Sequence, residues 1–243
     1  MPATTYGSKY RKKPSTRKRF YRKSSTKTAK TKSLISLIKK VSLKQNELKY
    51  VDYDHGKTEL YHNIHNNLGI WLLNHGPPRG NGDATRIGNE VLLSGIKLTF
   101  MFYSKGDRPN TKFRVIIYSA PYGQFSPTNA YGTLFDAVTG NVMIDSMDKD
   151  CVKVHKNMLV YPKNISANLT AYPEPETNKE VTSFRKAWVP YRTKVKFSDD
   201  NSTVELTNRS FYAIVMAYDT YGTLTSDNIG AVQCWQRFYY RDP

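Results

Sequence analysis

The chain has 243 residues, of which 39% are apolar, 13% aromatic and 23% charged; 37 Lys and Arg against 20 Asp and Glu give a formal charge of +17. That length can bury a substantial core in one large domain or two small ones, and 14 glycines with 12 prolines are too few for a collagenous or wholly disordered chain. Two cysteines argue against a disulfide scaffold or thiolate metal cluster. No apolar run is long enough to span a membrane as a helix, and residues 1–30 hold no apolar stretch of a secretory signal.

The charge is unevenly placed. Residues 1–44 carry 15 Lys and Arg and no Asp or Glu, whereas residues 45–243 carry 22 basic and 20 acidic residues, a net of +2. This predicts a nearly neutral domain over 45–243 and a basic, largely disordered arm over 1–44, because like charges with little apolar surface do not collapse without a polyanion. The arm's cations include Lys9, Arg11, Lys12, Lys13, Arg17, Lys18, Arg19, Arg22, Lys23, Lys27, Lys30 and Lys32, interleaved with Tyr6, Tyr10, Phe20 and Tyr21. Lysine and arginine neutralise phosphates and release counterions whatever the base sequence. Aromatic rings stack on unpaired bases, so the mixture favours single-stranded nucleic acid over duplex. The runs Arg11-Lys12-Lys13, Arg17-Lys18-Arg19 and Arg22-Lys23 also read as nuclear localisation signals, which would engage host import receptors. Next, Leu34, Leu37, Ile38 and Val41 recur at helical spacing, with Ser33 as a candidate N-cap and Lys39 and Lys40 near the end.

Beyond Glu47 the aromatic and β-branched content predicts strands. The clearest are 91–103, 113–119, 151–160, 184–197, 211–219 and 231–240, with weaker segments at 48–54, 59–73 and 142–145. Val152 and Val154 alternate with Lys153 and His155, as Val195 and Phe197 do with Lys194 and Lys196. Gly95 inside a strong strand predicts a bulge or a close backbone approach. The connections 74–89, 120–141 and 163–183 are long. About eight strands with such loops fit an all-β, single eight-stranded jelly-roll sandwich better than a meander barrel or an immunoglobulin-like sandwich. No repeat of propeller or solenoid length is present.

Catalytic and metal signals are weak. The chain holds no P-loop, dinucleotide fingerprint or nucleophile elbow. His62, His65 and His75 lack an acidic or thiolate third ligand of known pattern, so no metal or other cofactor is expected. Cys151 and Cys234 read as small buried core residues, and Asp145, Asp148 and Asp150 as an acidic turn without the glycine and glutamate of a calcium loop. No catalytic residue is named, and an enzyme is not expected.

A basic arm joined to an all-β sandwich is the layout of a small viral capsid subunit. RIGNEVLLSGIKLTFMFY at 86–103 resembles the strand that opens the jelly roll in capsid proteins of small circular Rep-encoding single-stranded DNA viruses, the group of circoviruses and geminiviruses. FRVIIYSAP at 113–121 is similar to that group's following strand, and NRSFYAIVMAYDT at 208–220 and AVQCWQRFYYRDP at 231–243 to its last two. The resemblance implies a subunit that assembles with itself into a closed icosahedral shell of about sixty copies, with the arm facing the genome and the loops outward. Sixty such arms would bring about 900 positive charges to the packaged strand. It also implies a virion protein that visits the host nucleus during assembly, with no membrane insertion and with its host-cell attachment factor unknown. The arm departs from the best-known circoviruses in being rich in Lys, Ser and Thr. Two other readings stay open: a capsid of a small single-stranded RNA virus or satellite, and a cellular nucleic-acid-binding β-barrel module with a basic tail. The module would be a monomer with basic and aromatic residues clustered on one domain face.

Overall fold

The computed structural model describes residues 31, 34, 37, 47–64, 70–105, 108, 110–122, 134–136, 139–162, 181–199, 201–220 and 224–242. By its internal contacts the chain divides into Met1–Gln45 and Asn46–Pro243. In the first unit Thr31, Leu34 and Leu37 are helical and exposed. Ser33, the expected cap, and Ile38 and Val41 of the expected apolar spacing lie outside the described residues.

Among its described residues the second unit has eight strands: β1 (Lys49–Tyr61), β2 (Ile70–Leu72), β3 (Glu90–Ser104), β4 (Thr111–Pro121), β5 (Lys153–Val160), β6 (Val181–Lys196), β7 (Arg209–Asp219) and β8 (Asn228–Arg241). They form two four-stranded antiparallel sheets, β1-β8-β3-β6 and β2-β7-β4-β5. The pairing is nested, first with last: β1 with β8, β2 with β7, β3 with β6 and β4 with β5. A long hairpin rolled on itself in this way, with β3–β8 and β4–β7 closing each sheet, is a jelly roll.

Hydrophobic patterning explains which faces are covered. β3 alternates buried and half-buried residues almost without break, so one of its faces meets the core and the other does not. β4 and β7 are buried along nearly their whole length, because the second sheet is covered on both faces. Between the sheets lie Phe100, Phe102, Phe113, Val115, Phe211, Val215, Val232 and Phe238. On the far face of the second sheet, Ile116, Tyr118, Tyr212 and Ile214 pack beneath Leu134, Phe135, Val142 and Met147 of the β4–β5 connection. Arg114 fastens that cover, donating to the carbonyls of Val142 (2.8 Å) and Asp145 (2.7 Å) and to Asn157 Oδ1 (3.2 Å).

Several sequence expectations are corrected. The segments 48–54 and 59–61 form one strand, which passes Gly56 at φ +75° through a register shift between Asp54 and Lys57. After Tyr61 pairing breaks off at Asn63, which has φ 53° and whose side chain donates to the Gly140 carbonyl and accepts from Val142 N–H. Residues 142–145 form a turn, since Asn141 Oδ1 accepts from Met143 N–H (2.9 Å) and the Asn141 carbonyl from Ile144 N–H (3.1 Å). Val154 is 38% exposed, because β5 is an edge strand with a register shift that ends the expected alternation. Val195 and Phe197 are buried as expected. Gly95 sits at a bulge, where an added Cβ would lie 2.4 Å from the Trp188 ring and 2.9 Å from the Val189 carbonyl.

Candidate nucleic-acid interface

The arm residues named above, from Tyr6 through Lys32 apart from Thr31, lie outside the described residues, as does most of the acidic connection before β6. Among the described residues of the second unit, the outward face of the β1-β8-β3-β6 sheet presents aromatic and basic side chains together. Strand periodicity builds it: Trp235, Arg237 and Tyr239 alternate along β8, and Phe184, Lys186 and Trp188 along β6. Register then brings Arg237 opposite Asp52 and Lys97, and Lys97 opposite Trp188.

Arg237 is the centre of this face. Its Nε and Nη2 donate to the two Asp52 carboxylate oxygens at 2.7 and 2.8 Å. Its guanidinium lies 4.2 Å from the centre of the Tyr50 ring and 4.8 Å from that of Trp235. Trp188 meets Tyr239 edge-on at 5.4 Å between centroids. Tyr50, Phe184 and Trp188 remain 49%, 56% and 45% exposed. Tyr50 and Trp188, held by Arg237 and Tyr239 yet open to solvent, can stack on bases with little loss of side-chain freedom. The sequence reading missed this face, although the period-two spacing of Trp235, Arg237 and Tyr239 carried the signal.

The histidines separate into different settings. His55 and His75 come together, 5.3 Å between centroids, and His75 stacks on Tyr53. His55 Nε2 donates to Gln236 Oε1 (3.0 Å), whose amide in turn donates to the Leu73 and His75 carbonyls. Burial, then the neighbouring His55, lowers the His75 pKa to about 4. His62 is apart from this pair and accepts from Asp219 N–H through Nδ1 (3.0 Å); His65 lies outside the described residues. Among the described residues no three His, Cys, Asp or Glu side chains converge as a metal site.

Cys234 is buried in the core, but Cys151 is only half-buried and donates its thiol to Asp148 Oδ2 (2.9 Å), correcting the expectation of two core cysteines. That hydrogen bond raises the thiol pKa, the direction opposite to nucleophile activation. Of the acidic trio, Asp145 is buried and accepts from Thr139 N–H (2.8 Å) and Oγ1–H (2.6 Å), whereas Asp148 Oδ1 accepts from the Asp150 N–H (2.8 Å) in their shared turn.

No family model matches the chain, and no curated protein matches it. Among solved structures it is similar to one of sacbrood virus of honeybee, at 12% identity over 80% of this chain and 87% of that one, with a TM-score of 0.35. It is also similar to one of the mud crab tombus-like virus (11% identity, 82% and 83% covered, TM-score 0.33) and one of the Kashmir bee virus virion (10%, 78% and 70%, TM-score 0.31). Likeness at these scores carries no argument about what the chain does.

Proposed function

We propose that the chain is a viral coat protein, a jelly-roll subunit that assembles with copies of itself into a small icosahedral shell and packages single-stranded circular DNA with its basic arm. One observation carries the reading: a jelly roll of net charge +2 follows a segment of 44 residues with 15 cations and no acid. A fold of this kind hosts several functions, coat and lectin domains among them, so the arm discriminates. In this reading residues 1–44 are the nucleic-acid-binding arm and residues 45–243 the shell domain. Lys and Arg from Lys9 to Lys32 neutralise phosphates, and Phe20 and Tyr21 stack on bases. The runs Arg11–Lys13, Arg17–Arg19 and Arg22-Lys23 carry the subunit through host import receptors into the nucleus before it enters the virion. DNA, in preference to RNA, rests on the resemblance of the strand motifs. The role is structural and assigns no catalytic residue.

The aromatic and basic outer face of the β1-β8-β3-β6 sheet favours a second reading, the cellular single-strand-binding module, and assembly separates the two. Purification without nuclease, followed by particle sizing and the 260/280 nm absorbance ratio, is the test. Uniform particles rich in nucleic acid are expected, and nuclease typing of their extract then assigns DNA or RNA. A nucleic-acid-bound monomer under every salt condition would establish the module instead.

A further inference from the structure

Where β5, an edge of one sheet, passes β6, an edge of the other, the second unit holds a cleft of about 530 Å³. Lys153 of β5, Arg192 of β6 and Arg209 of β7 line it, and no carboxylate does. Among the described residues, the side chains of these three cations make no ion pair or hydrogen bond. An adjoining hollow of about 550 Å³, which shares Lys153 and Arg209, contributes one carboxylate, Asp150. Cations gathered in a partly enclosed site without acids leave a positive potential that attracts an anion.

His155 also lines the cleft. Tyr191 Oη–H donates to its Nε2, and Ser119 Oγ lies 2.8 Å from the same nitrogen. The groups facing it are thus Ser119 of β4, Lys153 of β5, Tyr191 of β6 and Arg209 of β7. Burial first, and then the charges of Lys153 and Arg209, lower its pKa to about 4. The ring is therefore neutral at neutral pH and adds no charge of its own.

We propose that this cleft binds a phosphate of a single-stranded nucleic-acid backbone, with Lys153, Arg192 and Arg209 as its ligands. The proposal rests on the packaging reading and adds to it a phosphate site in the folded domain. The volume is in the range that holds a ligand of nucleotide size. Arginine pairs supply the forked donors that phosphate oxygens accept, which distinguishes the site from the diffuse charge of the arm.

The test is acetylation of lysines in the full-length protein, read by mass spectrometry, with and without an oligo-dT strand. Lys156, on the same strand but outside the cleft lining, serves as the local control. The strand should slow modification of Lys153 about fivefold or more relative to Lys156. In the variant Arg192→Gln/Arg209→Gln that protection should vanish while Lys12 and Lys18 of the arm stay protected. Protection of the arm without Lys153 would overturn the cleft site and leave packaging intact. Protection of Lys153 without the arm would support the site and sink the arm's role. Equal protection by inorganic phosphate at the same phosphate concentration, or protection by a sulfated polysaccharide alone, would overturn the assignment to nucleic acid.

Discussion

At the scale of single residues, Arg86 bears most on stability. Its side chain is fully buried, yet it donates to the carbonyls of Pro77, Gly88, Asp199 and Ser202 and to Asn89 Oδ1, and it lies 4.5 Å from the Phe197 ring centre. One guanidinium thus ties the β2–β3 connection to the β6–β7 connection, which its five donors allow and a lysine's point charge does not. Arg86→Ala would strand the buried Pro77 carbonyl and leave four part-buried acceptors to water, so a loss of about 1–3 kcal/mol is expected in the urea unfolding of dispersed subunits. Arg86→Lys should recover only part of it. Acid should act through His75 and His155, which are held neutral by burial with pKa values near 4. Unfolded histidine titrates near pH 6.5, so from there downward the unfolded chain binds more protons than the folded one. The stability these residues contribute is complete above about pH 6.5 and lost as the pH falls toward about 4. Thermal melts should shift to lower temperature across that window, and His75→Gln/His155→Gln should flatten the pH dependence there.

At the scale of elements, alternation and its absence are physical consequences of how many faces of a sheet are covered. The alternation of β3 was readable because water lies on one side of its sheet. The unbroken runs FRVIIYS and FYAIVMAY were readable as strands, but that both faces are covered depends on the β4–β5 connection, whose Val142 and Met147 are far from those strands in sequence. Local turn chemistry likewise overrode β propensity at residues 142–145, where Asn141 captures the backbone first. Gly95 is the element whose local prediction and tertiary role agree most closely. Gly95→Ala would drive a methyl into the Trp188 ring and the Val189 carbonyl, and a loss of about 1–3 kcal/mol is expected by chemical denaturation. Adding Trp188→Ala should restore only part of it, since the carbonyl remains at 2.9 Å.

At the scale of the whole molecule, charge and fold are divided along the chain. Deleting residues 1–32 removes 12 of the 37 basic residues and none of the eight strands. The truncated protein should therefore keep its β-rich circular dichroism and melting transition while its particles lose their nucleic acid, read as a fall in the 260/280 nm ratio. Encapsidation at the wild-type level would exclude the arm as the packaging element. Raising salt should weaken the packaging contact of the full chain steeply, because each phosphate neutralised releases a counterion.

By itself the sequence determined the elements that local chemistry governs: the acid-free basic segment, the position of six of the eight strands, the bulge at Gly95 and the jelly-roll class. These follow from charge repulsion, side-chain period and backbone freedom, all of which act between near neighbours. The tertiary structure alone decided what depends on partners distant in the chain. Nested pairing sets Trp188 of β6 across β3 from Tyr239 of β8, and Lys153, Arg192 and Arg209 around one cleft. It also encloses Arg86, a residue whose charge reads as surface, among carbonyls from two connections. Such placements depend on register and on which sheet edges meet, and a linear pattern carries no record of either.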